Sequence, residues 1–123
     1  MKNSIILLIS LFSLSFVGKD ISEDISNYIK YGKANELVKF FPEKVSIKVL
    51  SQEDFLSKSQ AQVLLEDFFS KHKVKNYKSA HSTIVNGDQQ FMTGSLETAS
   101  GNYRISILVR ANIISQFRIE YDN

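Results

Sequence analysis

The chain has 123 residues, 43% of them hydrophobic and 23% charged, with 15 Lys plus Arg against 13 Asp plus Glu for a net charge of +2. This is an ordinary globular composition with room for one small domain, and it excludes a strongly basic nucleic-acid binder and an acidic tail protein. With no Cys, there can be no disulfide staple, thiolate zinc site or cysteine nucleophile, and with only His72 and His81 a His-rich metal site is not expected.

Met1-Lys2-Asn3 carries one positive charge. Ile5 to Val17 is then apolar apart from Ser10, Ser13 and Ser15. The run is too short for a membrane-spanning helix, which needs about 20 residues, and it fits the apolar region of a secretory signal. Ser13-Leu14-Ser15 is a small-x-small pattern that allows cleavage after Ser15, and Gly18 offers a second point. Charged sequence starts abruptly at Lys19. Residues 1–18 read as a signal peptide and residues 19–123 as a single domain, periplasmic or secreted, with no membrane span.

The first half of that domain has mostly helical periods. Asp20 with Glu23 resembles a capping box, and Ile21, Ile25, Tyr28 and Ile29 share one face. Gly32 interrupts this helix. A second, short helix carries Leu37, Val38, Phe40 and Phe41 and stops at Pro42. Val45, Ile47 and Val49 alternate with Lys44, Ser46 and Lys48, the pattern of a half-buried strand. Ser51 to Leu56 reads as a connection. Ser57 with Gln60 forms a second capping box, opening a helix whose stripe is Ala61, Leu64, Leu65, Phe68 and His72, widened by Phe69. The cations Lys71 and Lys73 stand at its negative end.

From Asn76 the period is two. Tyr77 to Val85 is a strand, Asn86-Gly87-Asp88 a hairpin turn, and Gln90 to Thr98 the next strand, with Gly94 expected to mark a bulge or bend. After a turn at Ser100-Gly101-Asn102, Tyr103, Ile105, Ile107 and Val109 alternate with polar residues. Ala111-Asn112 turns into a last strand, Ile114 to Tyr121, with Phe117 and Ile119 on its apolar face. Helices followed by a four-strand meander give an α+β domain with the helices packed on one face of a curved, mostly antiparallel sheet.

The order helix, helix, strand, capped helix, four strands resembles the nuclear transport factor 2-like superfamily, whose cone-shaped domains include relatives of ketosteroid isomerase and scytalone dehydratase. More narrowly, Gly32 through Phe41, Ser59 through Phe69, the His81 strand, Thr93 through Thr98 and Phe117-Arg118-Ile119-Glu120 are similar to a family of small exported Bacteroidetes proteins of unknown function. The resemblance implies the cone fold, export, and a pocket inside the cone where an Asp, His or Tyr can act as acid or base.

Proton transfer needs a titratable group beside its substrate. The candidates are His81, Tyr77, Tyr28, Tyr31, Asp67 and Glu97. Tyr77, Ser79, His81 and Thr83 share a face of a regular strand, but Tyr77 and His81 are roughly 13 Å apart along it, so they form no dyad unaided. His81, Tyr77, Tyr28 and Asp67 are the expected ligand-binding residues, with His81 facing the cone interior. No residue is assigned a catalytic role and no cofactor is expected. His72 reads as a cap or half-buried residue, and the lysines at 71, 73, 75 and 78 as a solvated helix end. Gly-rich phosphate loops and nucleophile elbows are absent.

Two classes of function remain. One is a non-catalytic exported domain that binds a small molecule or a partner through the cone pocket. The other is a lyase or isomerase using a pocket His or Tyr. In this superfamily the outer sheet face commonly makes dimers, and here Leu108, Arg110, Gln116 and Arg118 suit such a homodimer contact. Export is tested first. Mass spectrometry of the protein from its native host should find a mature N-terminus between about Phe16 and Asp20, and an intact Met1 on a cytoplasmic protein would refute it.

Overall fold

The computed structural model describes residues 20–122, so the expected signal peptide lies outside the described residues. Helix α1 spans Ser22–Lys30 and buries Ile25 and Ile29. The expected capping box at Asp20 and Glu23 does not form. Ile21 is the N-cap, and the Asp20 carboxylate accepts the Ser22 backbone N–H at 2.9 Å instead. The helix ends in a Schellman turn. Gly32 takes φ 63°, its N–H bonds to the Ile29 carbonyl at 3.1 Å, and the Lys33 N–H bonds back to Tyr28 at 2.8 Å.

Helix α2, Ala34–Leu37, runs into a 3₁₀ turn at Val38–Phe40 before Pro42. Strand β1, Lys44–Val49, follows and buries Val45, Ile47 and Val49 as its alternation requires. The expected connection after it is a strand. Gln52–Ser57 forms β2, paired antiparallel with β1 through a turn at Leu50 and Ser51. It lacks an apolar alternation because it is a sheet edge, exposed over most of its length. Helix α3, Lys58–Lys71, opens on the expected capping box, in which the Gln60 N–H donates to Ser57 Oγ at 3.2 Å and the Ser57 N–H to Gln60 Oε1 at 3.1 Å.

Four strands complete the sheet: β3 (Val74–Asn86), β4 (Gln89–Thr98), β5 (Gly101–Arg110) and β6 (Ile113–Tyr121). The order across it is β2-β1-β6-β5-β4-β3, antiparallel except for the parallel pair β1/β6. The sheet therefore has six strands rather than five, and the N-terminal hairpin extends the C-terminal meander. Ala111 and Asn112 turn β5 into β6 with φ 50° and 63°, both positive as a type I′ turn needs.

Bulges set which side chains face inward, one on β6 and, among three on β3, the one between Ser79 and His81. On β6, Gln116 pairs with Leu108 but Ile114 pairs with Val109, so Ser115 is an extra residue whose Oγ donates to the Leu108 carbonyl at 3.2 Å. This lets Ile114 and Phe117 both face the core despite their odd spacing. On β3 the register shifts between Ser79, opposite Gly94, and His81, opposite Thr93. The irregularity expected at Gly94 therefore lies on the neighbouring strand, while Gly94 itself pairs regularly with Ile105 of β5.

Gly94 has a different task. The Tyr77 ring lies across it, and a Cβ at this position would collide with Tyr77 Oη and Cζ. The space between helices and sheet is filled by large side chains, among them Phe41, Phe117, Leu65, Met92 and Leu96, all with less than 2% relative exposure. Tyr77 closes this layer, and its hydroxyl is buried with no hydrogen-bond partner. Burial pushes its pKa up to about 12 from 10.0.

This packing yields two expectations. Gly94→Ala should destabilise the fold by about 2–3 kcal/mol in chemical denaturation, because the ring has nowhere to retreat, and adding Tyr77→Leu should recover part of the loss. Tyr77→Phe should be neutral or slightly stabilising, since it removes an unpaired hydroxyl. Below pH 10 the native protein loses nothing to Tyr77 ionisation. Stability then falls as pH rises toward about 12, because only the unfolded chain ionises freely, and the Phe variant should lack that part of the alkaline loss.

Candidate functional site

The residues singled out from the sequence do not converge. Tyr77 is interior. His81 is exposed and does not line the cone. The bulge before it gives His81 the facing of Thr93, which alternates with the buried Met92 and Gly94, so its side chain stands on the outer sheet face within hydrogen-bond distance of Thr83 Oγ1. Tyr28 is half-buried on α1 against Phe40, with ring centroids 6.3 Å apart. Tyr31 is 65% exposed. Glu97 is half-buried on β4.

Asp67 is different. It lies on the exposed side of α3, paired with Lys71 at 3.2 Å, and it borders two hollows. One, of about 470 Å³, lies between α3 and β2 and is lined by Gln52, Leu56, Gln60, Val63, Leu64 and Asp67. The other, of about 250 Å³, continues past Leu64 and Asp67 to Leu50, Lys71, His72 and Tyr121. Gln52, Leu64 and Asp67 belong to both, so the two form one cleft along α3, apolar at the β2 end and polar at the other.

The polar end is built by the C-terminus of α3. His72 is the C-cap, its N–H bonded to the Phe68 carbonyl at 2.9 Å. Its ring lies on Phe68 at 4.6 Å between centroids and meets Tyr103 at 5.3 Å, and Tyr103 continues to Tyr121 at 5.9 Å. His72 Nδ1 is 3.2 Å from Tyr103 Oη and also within reach of Ser100 Oγ. The stripe on α3 indicated that His72 is half-buried. Its hydroxyl partners come from β5 and the turn before it, which helical periodicity does not reveal. Leu50, at the floor of the cleft, takes φ 58°, a left-handed conformation that costs a branched residue on the order of 1 kcal/mol or more.

Electrostatics separate the cleft from the outer sheet face. There Lys48 pairs with Glu120 at 3.0 Å, and Arg118 pairs with Glu53 at 3.0 Å and Glu120 at 3.6 Å. The Lys48 hydrogen bond, helped by Arg118, holds the Glu120 carboxyl below its ordinary range. Among the described residues no cluster of three or more His, Asp or Glu could hold a metal ion. No described helix is long and apolar enough to cross a membrane.

No functionally curated protein matches the sequence. A family model described as a domain of unknown function, DUF4783, matches residues 22–120. A DUF4783 family protein from Bacteroides ovatus is 27% identical, the match covering 86% of this chain and 99% of that one, with a TM-score of 0.78. Another from Bacteroides fragilis is 31% identical over 84% of this chain and 100% of that one, with a TM-score of 0.75. The structure of Rd1NTF2_04, with a long sheet, is 16% identical over 80% of this chain and 95% of that one, at a TM-score of 0.65, a likeness of fold alone. With its helices, its curved mixed sheet and nearly every described residue matched, the chain belongs to the DUF4783 family, a domain of unknown function on an NTF2-like fold.

Proposed function

We propose that the protein is an exported, non-catalytic binding domain whose ligand lies in the cleft along α3. The observation that carries this reading is the continuity of the two hollows through Gln52, Leu64 and Asp67. An apolar wall of Leu56, Val63 and Leu64 leads to a few polar groups, Asp67, Lys71, His72 and Tyr121, which is the composition of small-molecule sites. The ligand class is a compact amphiphile, its apolar part on the β2 side and its polar head toward His72 and Tyr121. The strained turn at Leu50 gives this end of the cleft a fixed shape.

The non-catalytic reading draws on how the titratable groups are engaged. Asp67 is paired with Lys71, and His72 is held by the hydroxyls of Ser100 and Tyr103 rather than by a carboxylate that would orient it as a base. A lyase or isomerase would have to work from His72 in that setting.

Fluorescence titration with anilinonaphthalene sulfonate, an amphiphilic anion, tests the site. Saturable binding is expected. Val63→Asp, at a position 65% exposed and therefore harmless to the fold, should weaken it about tenfold by placing a charge on the apolar wall. His72→Ala should weaken it at the polar end. Binding that neither variant alters, with circular dichroism unchanged, would remove the cleft from consideration.

A further inference from the structure

The polar end of the α3 cleft is backed by a short chain of hydroxyls whose protons can be placed one by one. Thr98 Oγ1 donates to the Gly101 carbonyl at 2.7 Å and accepts the Ser100 backbone N–H at 3.2 Å. Ser100 Oγ stands within reach of both Thr98 Oγ1 and His72 Nδ1, so its proton has an acceptor in either direction. Tyr103 Oη has less choice. Its one partner among the described residues is His72 Nδ1, at 3.2 Å, and Tyr103 is only 5% exposed. If Nδ1 carried the ring proton, the Tyr103 proton would have no acceptor, a costly state for a buried hydroxyl. The neutral ring therefore accepts at Nδ1 from Tyr103, and its own proton sits on Nε2.

Nε2 has no hydrogen-bond partner among the described residues, and it is not buried, since Tyr77 Oη is the one buried side-chain polar atom left unpaired there. His72 lines the polar hollow, so this N–H is offered to whatever occupies it. Charge at this end is already balanced. Asp67 lines the same hollow and is paired with Lys71 at 3.2 Å, and α3 ends here with the negative pole of its dipole. A carboxylate head would meet both Asp67 and that pole. An ammonium head would set donor against donor at Nε2.

We propose that Tyr103 is a positioning residue that fixes Nε2–H of His72 as the donor of the cleft, and that the head group selected there is an uncharged acceptor, the carbonyl oxygen of a ketone, ester or amide. The proposal rests on the α3 cleft being the binding site and adds to it the chemistry of the ligand's polar end.

Long-range proton–nitrogen correlation spectra of the labelled protein, at mildly alkaline pH, read the tautomer directly. His72 should carry its proton on Nε2. Tyr103→Phe should move a large share of it to Nδ1, where Ser100 Oγ can accept. Methyl octyl ketone is the binding probe, with nonanoate and nonylamine as charged analogues of matched chain. The ketone should bind most tightly of the three. Tyr103→Phe should weaken ketone binding about fivefold, the worth of one hydrogen bond, and should leave nonylamine unaffected. In a His72→Phe background the same change should cost the ketone nothing further. Val63→Asp tells the site from its selectivity. Ketone binding that Val63→Asp does not weaken would remove the cleft itself. Ketone binding that Val63→Asp weakens keeps the cleft, and three results then overturn the proposal alone: a proton on Nδ1 in the unaltered protein, a Tyr103→Phe variant with unchanged tautomer and affinity, or nonanoate binding more tightly than the ketone. Saturable binding of anilinonaphthalene sulfonate with no binding of the ketone overturns it as well.

Discussion

The parallel pairing of β1 with β6 is the contact on which the rest of the domain depends. Ser46 to Val49 align with Gln116 to Ile119, and the Leu50 N–H adds a bond to the Ile119 carbonyl at 2.8 Å. Without it the chain would be a helical half and a separate four-strand meander, each with an uncovered apolar face. With it, Ile47 and Phe117 come side by side under Phe41, whose ring lies 6.0 Å from that of Phe117. The same pairing fixes the β1–β2 hairpin beside α3. The α3 cleft is thus a product of sheet closure, with one wall from the helix and the other from a hairpin that the last strand holds in place.

Much of this fold is legible in the sequence because it rests on local rules. The alternation of Val45, Ile47 and Val49, the Ser57–Gln60 box and the Ala111-Asn112 turn each encode their own geometry, and each forms as written. β2 is missed for an equally physical reason. An edge strand exposed on both faces needs no apolar period, so Gln52-Glu53-Asp54 looks like a loop. His81 fails differently. Strict alternation puts it on the Tyr77 face, but one extra residue at Ala80 reverses the facing of His81 through Ile84, and that bulge is a cross-strand matter.

The candidate site shows the same division. Asp67 is visible as a carboxylate on the polar side of a helix, yet its neighbours in space, Gln52 and Leu50, come from the hairpin that reads as a loop. His72 is visible as the end of an apolar stripe, but its value lies in Tyr103 and Ser100, which only the folded sheet brings to it. Function in this fold is read from where strands end and helices stop, and those are the positions where periodicity carries least information.

Ser115 has a consequence of another kind. As a bulge residue it contributes little packing of its own, so many small or polar substitutions at this position should pass unnoticed. Because it is the extra residue of the bulge, its removal would leave Ile114 opposite Val109 and Gln116 opposite Leu108 in a regular ladder, with Phe117 and Ile119 still on the buried face. The loss of Phe117 instead would set Gln116 or Arg118 opposite Ile107 on that face. The bulge is thus the one place along the last strand where a change of length costs the core nothing.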